Sequence, residues 1–377
     1  MNANVNPLIA ALVIALTVIG IGAWTWASGQ AKEIGGPSEL RVAPNGHLFI
    51  QMQNQLLEHD EEGKFVARHD LSDLGVDRVI GALDFFANGD ILVRRGPDSR
   101  TLLQNIRAFQ RKTNTQSIAP TTPNTGLARC DLATKSCETF GESPIDFKTA
   151  YGLIIDRRTD DVYVTDTSRH LIRKYSPSGM PIGGPVAGFR FPNDVVLHDE
   201  KLFITDTNHH RVAIVNPHSQ AFGTTLDEAD VVPVQAKRAR QSWPSDLARI
   251  GDTWWVNNMR SNMRDGGIYV FDNAWEFKYK LPLPSDADPI DIREFNDEVL
   301  ISDWRNDRIY RVSQDGQALH TFSSAGFNAL VAESSQSRLK YYLAAYVGVG
   351  MILILIIGLI VNGVTPDGPG AFRRQGV

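Results

Sequence analysis

Cysteine is nearly missing from this chain. Cys130 and Cys137 are the two present in 377 residues. That excludes a disulfide-knit scaffold and a four-thiolate zinc frame, and leaves one local staple. An excess of positive charge is also missing: 38 Lys and Arg face 43 Asp and Glu, for a net charge of −5. No basic field marks the chain for nucleic acid. No Gly-x-Ser-x-Gly, His-Glu-x-x-His, P-loop or dinucleotide fingerprint occurs. The hydrolase, metalloprotease and nucleotide chemistries tied to those motifs therefore have no foothold.

Charge is missing altogether from two stretches, Pro7 to Ala27 and Tyr341 to Val361. Each is long enough to cross a hydrocarbon core of about 30 Å as a helix. Trp24 and Trp26 close the first, and Tyr341, Tyr342 and Tyr346 open the second. Such aromatics suit a membrane–water boundary. The first stretch could also be a cleaved signal peptide, but it is long and MNANVNP carries no Lys or Arg, which favours a retained anchor. Arg373 and Arg374 point the C-terminal tail to the cytoplasm, although Lys32, Arg41, Arg338 and Lys340 flank the spans on the other side. Two spans put both ends on the cytoplasmic side of an inner (plasma) membrane. A paired Cys130 and Cys137 would need an oxidising compartment, so the domain between the spans is expected in a periplasm.

Glycine (31) and proline (19) are plentiful, as a chain of short strands and turns requires. One unit sets the pattern: KLFITDTNHHRVAIVNP, from Lys201 to Pro217, reads as strand, polar turn, strand. Versions of it recur. Equivalent second-strand ends fall at Met52, Arg95, Asp166, Asp206, Asn258 and Asp303, with gaps of 43, 71, 40, 52 and 45. Four short strands per period of this length make propeller blades, and the long gap is a blade with an insertion. Six blades close a ring and remove exposed sheet edges. No strand is shared between the chain ends, so side-chain packing must close it. The fold class expected is all-β, a six-bladed propeller between two transmembrane helices. The boundaries are 7–27 for the first helix, 28–39 for a linker and 40–322 for the propeller. A second linker at 323–340, a helix at 341–361 and a short cytoplasmic tail at 362–377 complete the chain.

VYVTDTSRHLIRKYSPSG, LFITDTNHHRVAIVNPHS and VLISDWRNDRIYRVSQDG resemble NHL repeats. The match is good in blades three, four and six, and partial in blade five. The resemblance implies a six-bladed propeller of that superfamily, which hosts binding modules and enzymes alike. Gluconolactonase-like and paraoxonase-like propellers are more distantly similar, and hold a catalytic cation through Glu, Asn and Asp. Asn193 resembles the Asn of that motif; Ser245 and Ile290 stand where further ligands would be wanted. The Tyr-Cys signature of peptidyl-amidating lyases is missing from DTNHHR.

Phe191-Pro192-Asn193-Asp194, Trp243-Pro244-Ser245-Asp246 and Asp288-Pro289-Ile290-Asp291 share a Pro-x-Asp pattern. In a propeller they begin the inner strands, so Asn193, Asp194, Asp246 and Asp291 are expected around one channel mouth. Converging carboxylates and an amide suit Ca²⁺ or another hard divalent cation; the simpler reading is that Asp after Pro caps a turn. His170, His209, His210, Arg260, Arg264 and Arg305 are expected to crown the same mouth. Adjacent His209 and His210 should point opposite ways. Asp206 with Arg211, and Asp303 with Arg308, are expected to pair across their turns. Cys130 and Cys137 are expected as a disulfide across the outer hairpin of blade two. The insertion, Gly96 to Gly126, carries Leu102, Ile106 and Phe109 at helical spacing. It could be a lid, a partner-binding element or a mobile loop. Lys237, Arg238 and Arg240 read as a solvated loop.

No catalytic set can be assembled. The leading functional expectation is a membrane-tethered module that binds a ligand or a membrane or periplasmic protein, without nucleic acid and without a required cofactor. The alternative is a cation-dependent hydrolase or lyase of lactonase-like type at the channel mouth.

Overall fold

The computed structural model describes residues 7–76, 78–96, 126–142, 145, 147 and 151–363. The expected helix at Leu102, Ile106 and Phe109 and the tail beyond residue 363 lie outside them. The chain divides into two compact units, 35–329 and 1–34 with 330–377.

The larger unit is a six-bladed β-propeller. Blade one holds β1 (Pro37–Val42), β2 (Leu48–Met52), β3 (Gln55–His59) and β4 (Phe65–Asp70). Blade two holds β5 (Asp84–Phe85), β6 (Ile91–Arg95), β7 (Gly126–Asp131) and β8 (Ser136–Thr139). Blade three holds β9 (Gly152–Ile155), β10 (Val162–Asp166) and β11 (Leu171–Tyr175). Blade four holds β12 (Pro192–His198), β13 (Lys201–Asp206), β14 (Arg211–Val215) and β15 (Thr225–Asp230). Blade five holds β16 (Trp243–Ile250), β17 (Thr253–Met259), β18 (Gly267–Phe271) and β19 (Phe277–Lys280). Blade six holds β20 (Pro289–Phe295), β21 (Glu298–Asp303) and β22 (Arg308–Ser313). Single bridges, Ile172 to Val186 and Val312 to Ala318, stand in for the fourth strands of blades three and six.

Burial explains the sequence pattern. Second strands such as LFIQM and VYVTD are buried along their whole length, because both sheet faces pack on neighbouring blades. Their apolar residues therefore run continuously instead of alternating. Outer strands β4, β8 and β15 are mostly exposed and rich in charge, which discourages edge-to-edge pairing. Five of the six second strands end where the repeat spacing places them. The sixth, β17, runs one residue past Asn258, which pairs with Pro244 as Asp206 pairs with Pro192. Cys130 and Cys137 face each other across β7 and β8 and form a disulfide.

The helices are α1 (Pro7–Glu33), the short α2 (Val234–Ala239) between blades four and five, and α3 (Ala325–Gly363). Both long helices are long and apolar enough to cross a membrane. They extend further than the apolar runs alone. The stretch expected as a second linker is helical from Ala325 onward. The Phe327 amide donates to Ser324 Oγ at 3.1 Å, a side-chain cap. No Gly or Pro interrupts residues 327–347. Within the smaller unit α1 and α3 approach closely: a Cβ on Gly348 would meet the Gly20 carbonyl at 2.8 Å. Ala345 is buried alongside Gly348.

Candidate functional site

The inner strands of blades one, four, five and six start opposite the ends of their second strands. Register brings Glu39, Gly152, Asp246 and Asp291 to one level around the channel, opposite Gln51, Thr165, Asn257 and Ser302. Asp194 joins them beside a register shift, its amide donating to Thr205 Oγ1 at 2.8 Å. Four consecutive blades around the ring, four to six and then one, thus supply a carboxylate there. Gly152 is needed for room: a Cβ on it would lie 2.3 Å from the Asn193 carbonyl.

These carboxylates fasten blades together. Asp194 Oδ2 accepts the Leu247 amide at 3.2 Å, from blade four to five. Asp291 Oδ2 accepts the Leu40 amide at 2.5 Å, from blade six to one. Glu39 accepts the Leu83 amide at 3.1 Å, from blade one to two. One level further along the strands, Asp84 Oδ2 accepts the Ile155 amide at 2.8 Å, from blade two to three. A carboxylate accepting a backbone N–H replaces the water it loses.

Two guanidinium groups stand among the acids. Arg41 Nη2 lies 2.5 Å from Glu39 Oε1, and its Nη1 3.6 Å from Asp291 Oδ1. Arg293 Nη2 lies 2.9 Å from Asp291 Oδ1, and its Nε donates to the Leu40 carbonyl at 3.0 Å. Asp246 differs. It is 5% exposed, and its Oδ2 has no hydrogen-bond partner.

Protonation follows from this arrangement. Burial lifts the Glu39 carboxyl to about 7 against the pull of Arg41. Burial also raises Asp194, opposed by Arg293 and Arg41. Asp246 is pushed well above the usual carboxylate range, first by burial and then by Asp194 and Asp291. Burial and the two neighbouring acids thus favour the neutral form of Asp246.

Of the expected site residues, the structure joins Asp194, Asp246 and Asp291 in one charge cluster. Asn193 sits at its edge, its Nδ2 donating to Thr207 Oγ1 at 2.7 Å. The others hold loops. His209 Nδ1 meets Asp206 Oδ2 at 2.7 Å, while His210 Nδ1 meets the Ser242 carbonyl at 2.6 Å. His170 Nδ1 accepts the Phe191 amide at 2.9 Å. Arg305 Nη1 pairs with Asp265 Oδ1 at 2.7 Å. Among the described residues no group of three or more His, Cys, Asp or Glu converges as a metal site.

The turn pairs need one correction. Arg211 Nη2 does meet Asp206 Oδ2 at 2.9 Å. Asp303, however, takes its bonds from the Tyr310 hydroxyl at 2.7 Å and from Asn306 Nδ2 at 2.8 Å. Arg308 is exposed. Tyr310 lies two residues further along β22, so its ring is buried with the hydroxyl directed back to the turn. In blade three Arg173 fills the role that Leu171 cannot, at 3.3 Å from Asp166.

Sequence reasoning missed Glu39, Arg41, Asp84 and Arg293. A signal was present: Glu39-x-Arg41 and Asp291-x-Arg293 repeat acid-x-Arg at matching places in blades one and six. At the other end of the inner strands a cavity of about 640 Å³ opens, lined in part by Arg41, Asp84, Arg157, Arg249 and Arg293.

No family model matches the chain, and no curated protein matches it either. Among solved structures it is similar to virginiamycin B lyase from Staphylococcus aureus, at 15% identity and a TM-score of 0.48, covering 75% of this chain and 83% of that one. It is similar to a streptogramin B lyase at 17% identity and a TM-score of 0.46, covering 76% and 83%. A protein of unknown function from Bacteroides caccae gives 8% identity and a TM-score of 0.43, covering 65% and 81%.

Proposed function

We propose that the chain is a membrane-tethered, NHL-like propeller that acts outside the cytoplasm as a binding or assembly module for a membrane or periplasmic protein or another ligand. The observation that carries this reading is how the channel carboxylates are employed. Glu39, Asp194 and Asp291 each accept the amide of the next blade, and Arg41 and Arg293 answer part of their charge. Side chains so committed hold the ring; they do not offer a free nucleophile and base. The two apolar helices support a tether in the inner membrane with both ends cytoplasmic. The Cys130–Cys137 disulfide supports a periplasmic propeller. Cross-linking in native membranes, followed by mass spectrometry, tests the module. A partner protein joined reproducibly to the propeller is expected; a propeller with no cross-linked neighbour would overturn it.

Asp246 favours a second reading, a cation-dependent hydrolase or lyase. Its unpartnered Oδ2 sits beside two further carboxylates. A Ca²⁺ or similar ion held there by Asn193, Asp194, Asp246 and Asp291 would favour the charged forms of the three acids. Metal analysis of the purified chain decides: a stoichiometric cation lost in Asp246→Ala and Asp291→Ala favours the enzyme.

A further inference from the structure

The loops joining second to third strands, and those joining one blade to the next, share one end of the propeller because strand directions alternate. On blades three to six, backbone and side-chain bonds link them in a belt. The Asn208 amide donates to the Arg190 carbonyl at 2.9 Å. His210 reaches Ser242, Gln241 Nε2 donates to the Asp265 carbonyl at 2.6 Å, and Arg305 pairs with Asp265.

This belt carries charge of the sign opposite to the chain, whose net charge is −5. Arg190, Lys237, Arg238, Arg240, Arg260 and Arg264 are all exposed on it. Its acids mostly turn inward. Asp206 and Asp303 are fully buried, and Asp288, 3% exposed, accepts the Asp265 amide. On the loops of blades three to six, Asp230 and Asp286 are the exposed carboxylates among the described residues; Asp73 and Glu142 are exposed on the loops either side of blade two. The run Lys237, Arg238 and Arg240, a solvated loop from sequence alone, becomes part of a field when α2 places it beside blades four and five.

Aromatic groups lie among the cations. Phe191 is 38% exposed although its φ is +65°, a region bulky residues avoid. His170 holds it, with ring centroids 5.9 Å apart. Trp243 is partly exposed and meets His210 edge to face at 5.2 Å. A strained, exposed aromatic in a ring of guanidinium groups is a surface feature that packing does not require.

We propose that this face docks an acidic polypeptide segment of a partner protein, its carboxylates on the arginines and an apolar side chain against Phe191 and Trp243. The proposal rests on the binding-module reading and names the chemistry of the partner. A polypeptide fits better than a lipid surface for two reasons. Five of the six cations are arginine, whose planar fork matches a carboxylate with two bonds. Arginine beside half-exposed aromatics is also the usual composition of protein–protein anchor points.

The test uses the full chain in a neutral detergent and a short fluorescent peptide of Glu interspersed with Phe, with the Gln analogue as control. The Glu peptide binds at about 50 mM salt and weakens about tenfold or more when salt is raised sixfold. Lys237→Glu with Arg238→Glu and Arg240→Glu lowers affinity about tenfold or more, as does Arg260→Glu with Arg264→Glu. Lys201→Glu, at the far end of the blades, leaves it unchanged. Charge-reversed variants that melt like wild type yet bind the peptide equally well overturn the proposal. So does tighter face-dependent binding of phosphatidylglycerol vesicles or of duplex DNA than of the peptide. A partner cross-linked to another surface in native membranes also overturns it, while the module reading stands.

Discussion

Asp291 and Leu40 close the propeller. The Leu40 amide donates to Asp291 Oδ2 at 2.5 Å, across a separation of 251 residues. Among the described residues no strand is shared between blades six and one, so this bond, the Arg293 bond to the Leu40 carbonyl and the Gly36 amide bond to the Trp304 carbonyl are among those that join the two ends of the ring.

Asp291 and Asp246 occupy equivalent places with opposite consequences. Asp291→Ala leaves Arg41 and Arg293 buried against a lost partner and is expected to cost about 3 kcal/mol. Asp246→Asn replaces a buried, unpartnered carboxyl, already pushed toward its neutral form, with a neutral amide and is expected to stay within about 1 kcal/mol of wild type. Chemical denaturation followed by tryptophan fluorescence compares them; equal losses would contradict the inter-blade role of Asp291.

Glu39 makes stability depend on pH. Its folded pKa, about 7, lies above the usual 4.5, so the folded state binds the proton more tightly. The stability this contributes is complete below the unfolded pKa and is lost as pH rises through about 7. Glu39→Gln is expected to flatten the melting-temperature profile between those two pH values, and an unchanged slope would refute the assignment.

At the blade-six turn, Tyr310 and not Arg308 anchors Asp303. Tyr310→Phe removes a hydrogen bond to a buried carboxylate and is expected to cost about 2 kcal/mol. Arg308→Ala, at an exposed side chain, is expected to change stability by less than about 0.5 kcal/mol. The two denaturation midpoints order the residues directly.

Gly348 sets the spacing of the apolar helices. A Cβ there would meet the Gly20 carbonyl at 2.8 Å and the Trp24 amide nitrogen at 3.1 Å. Gly348→Ile is expected to force α1 and α3 apart. Spin labels on the two helices, in lipid, read this as a longer or broader distance distribution.

Much of the architecture was legible because it depends on local periodicity. Apolar runs such as LFIT and VLIS, separated by polar turns at regular spacing, determine strands, blade number and second-strand ends. The uncharged runs mark the helices, although Ser324 and an uninterrupted run of helix formers carry α3 well before Tyr341. The short separation of Cys130 and Cys137 on one hairpin made their disulfide readable.

The candidate site was legible only in half. Pro-x-Asp found Asp194, Asp246 and Asp291, because a strand start repeats with the blade. What those acids do depends on neighbours far away in sequence. Glu39, Arg41 and Arg293 join them only because the ring closes, and how each carboxyl's pKa shifts depends on its burial and on the cations and amides it faces. The single sequence determined the repeating unit, since one blade's hairpins are local. Tertiary structure alone decided the fastening of the ring and the basic belt, since both bring together residues from different blades.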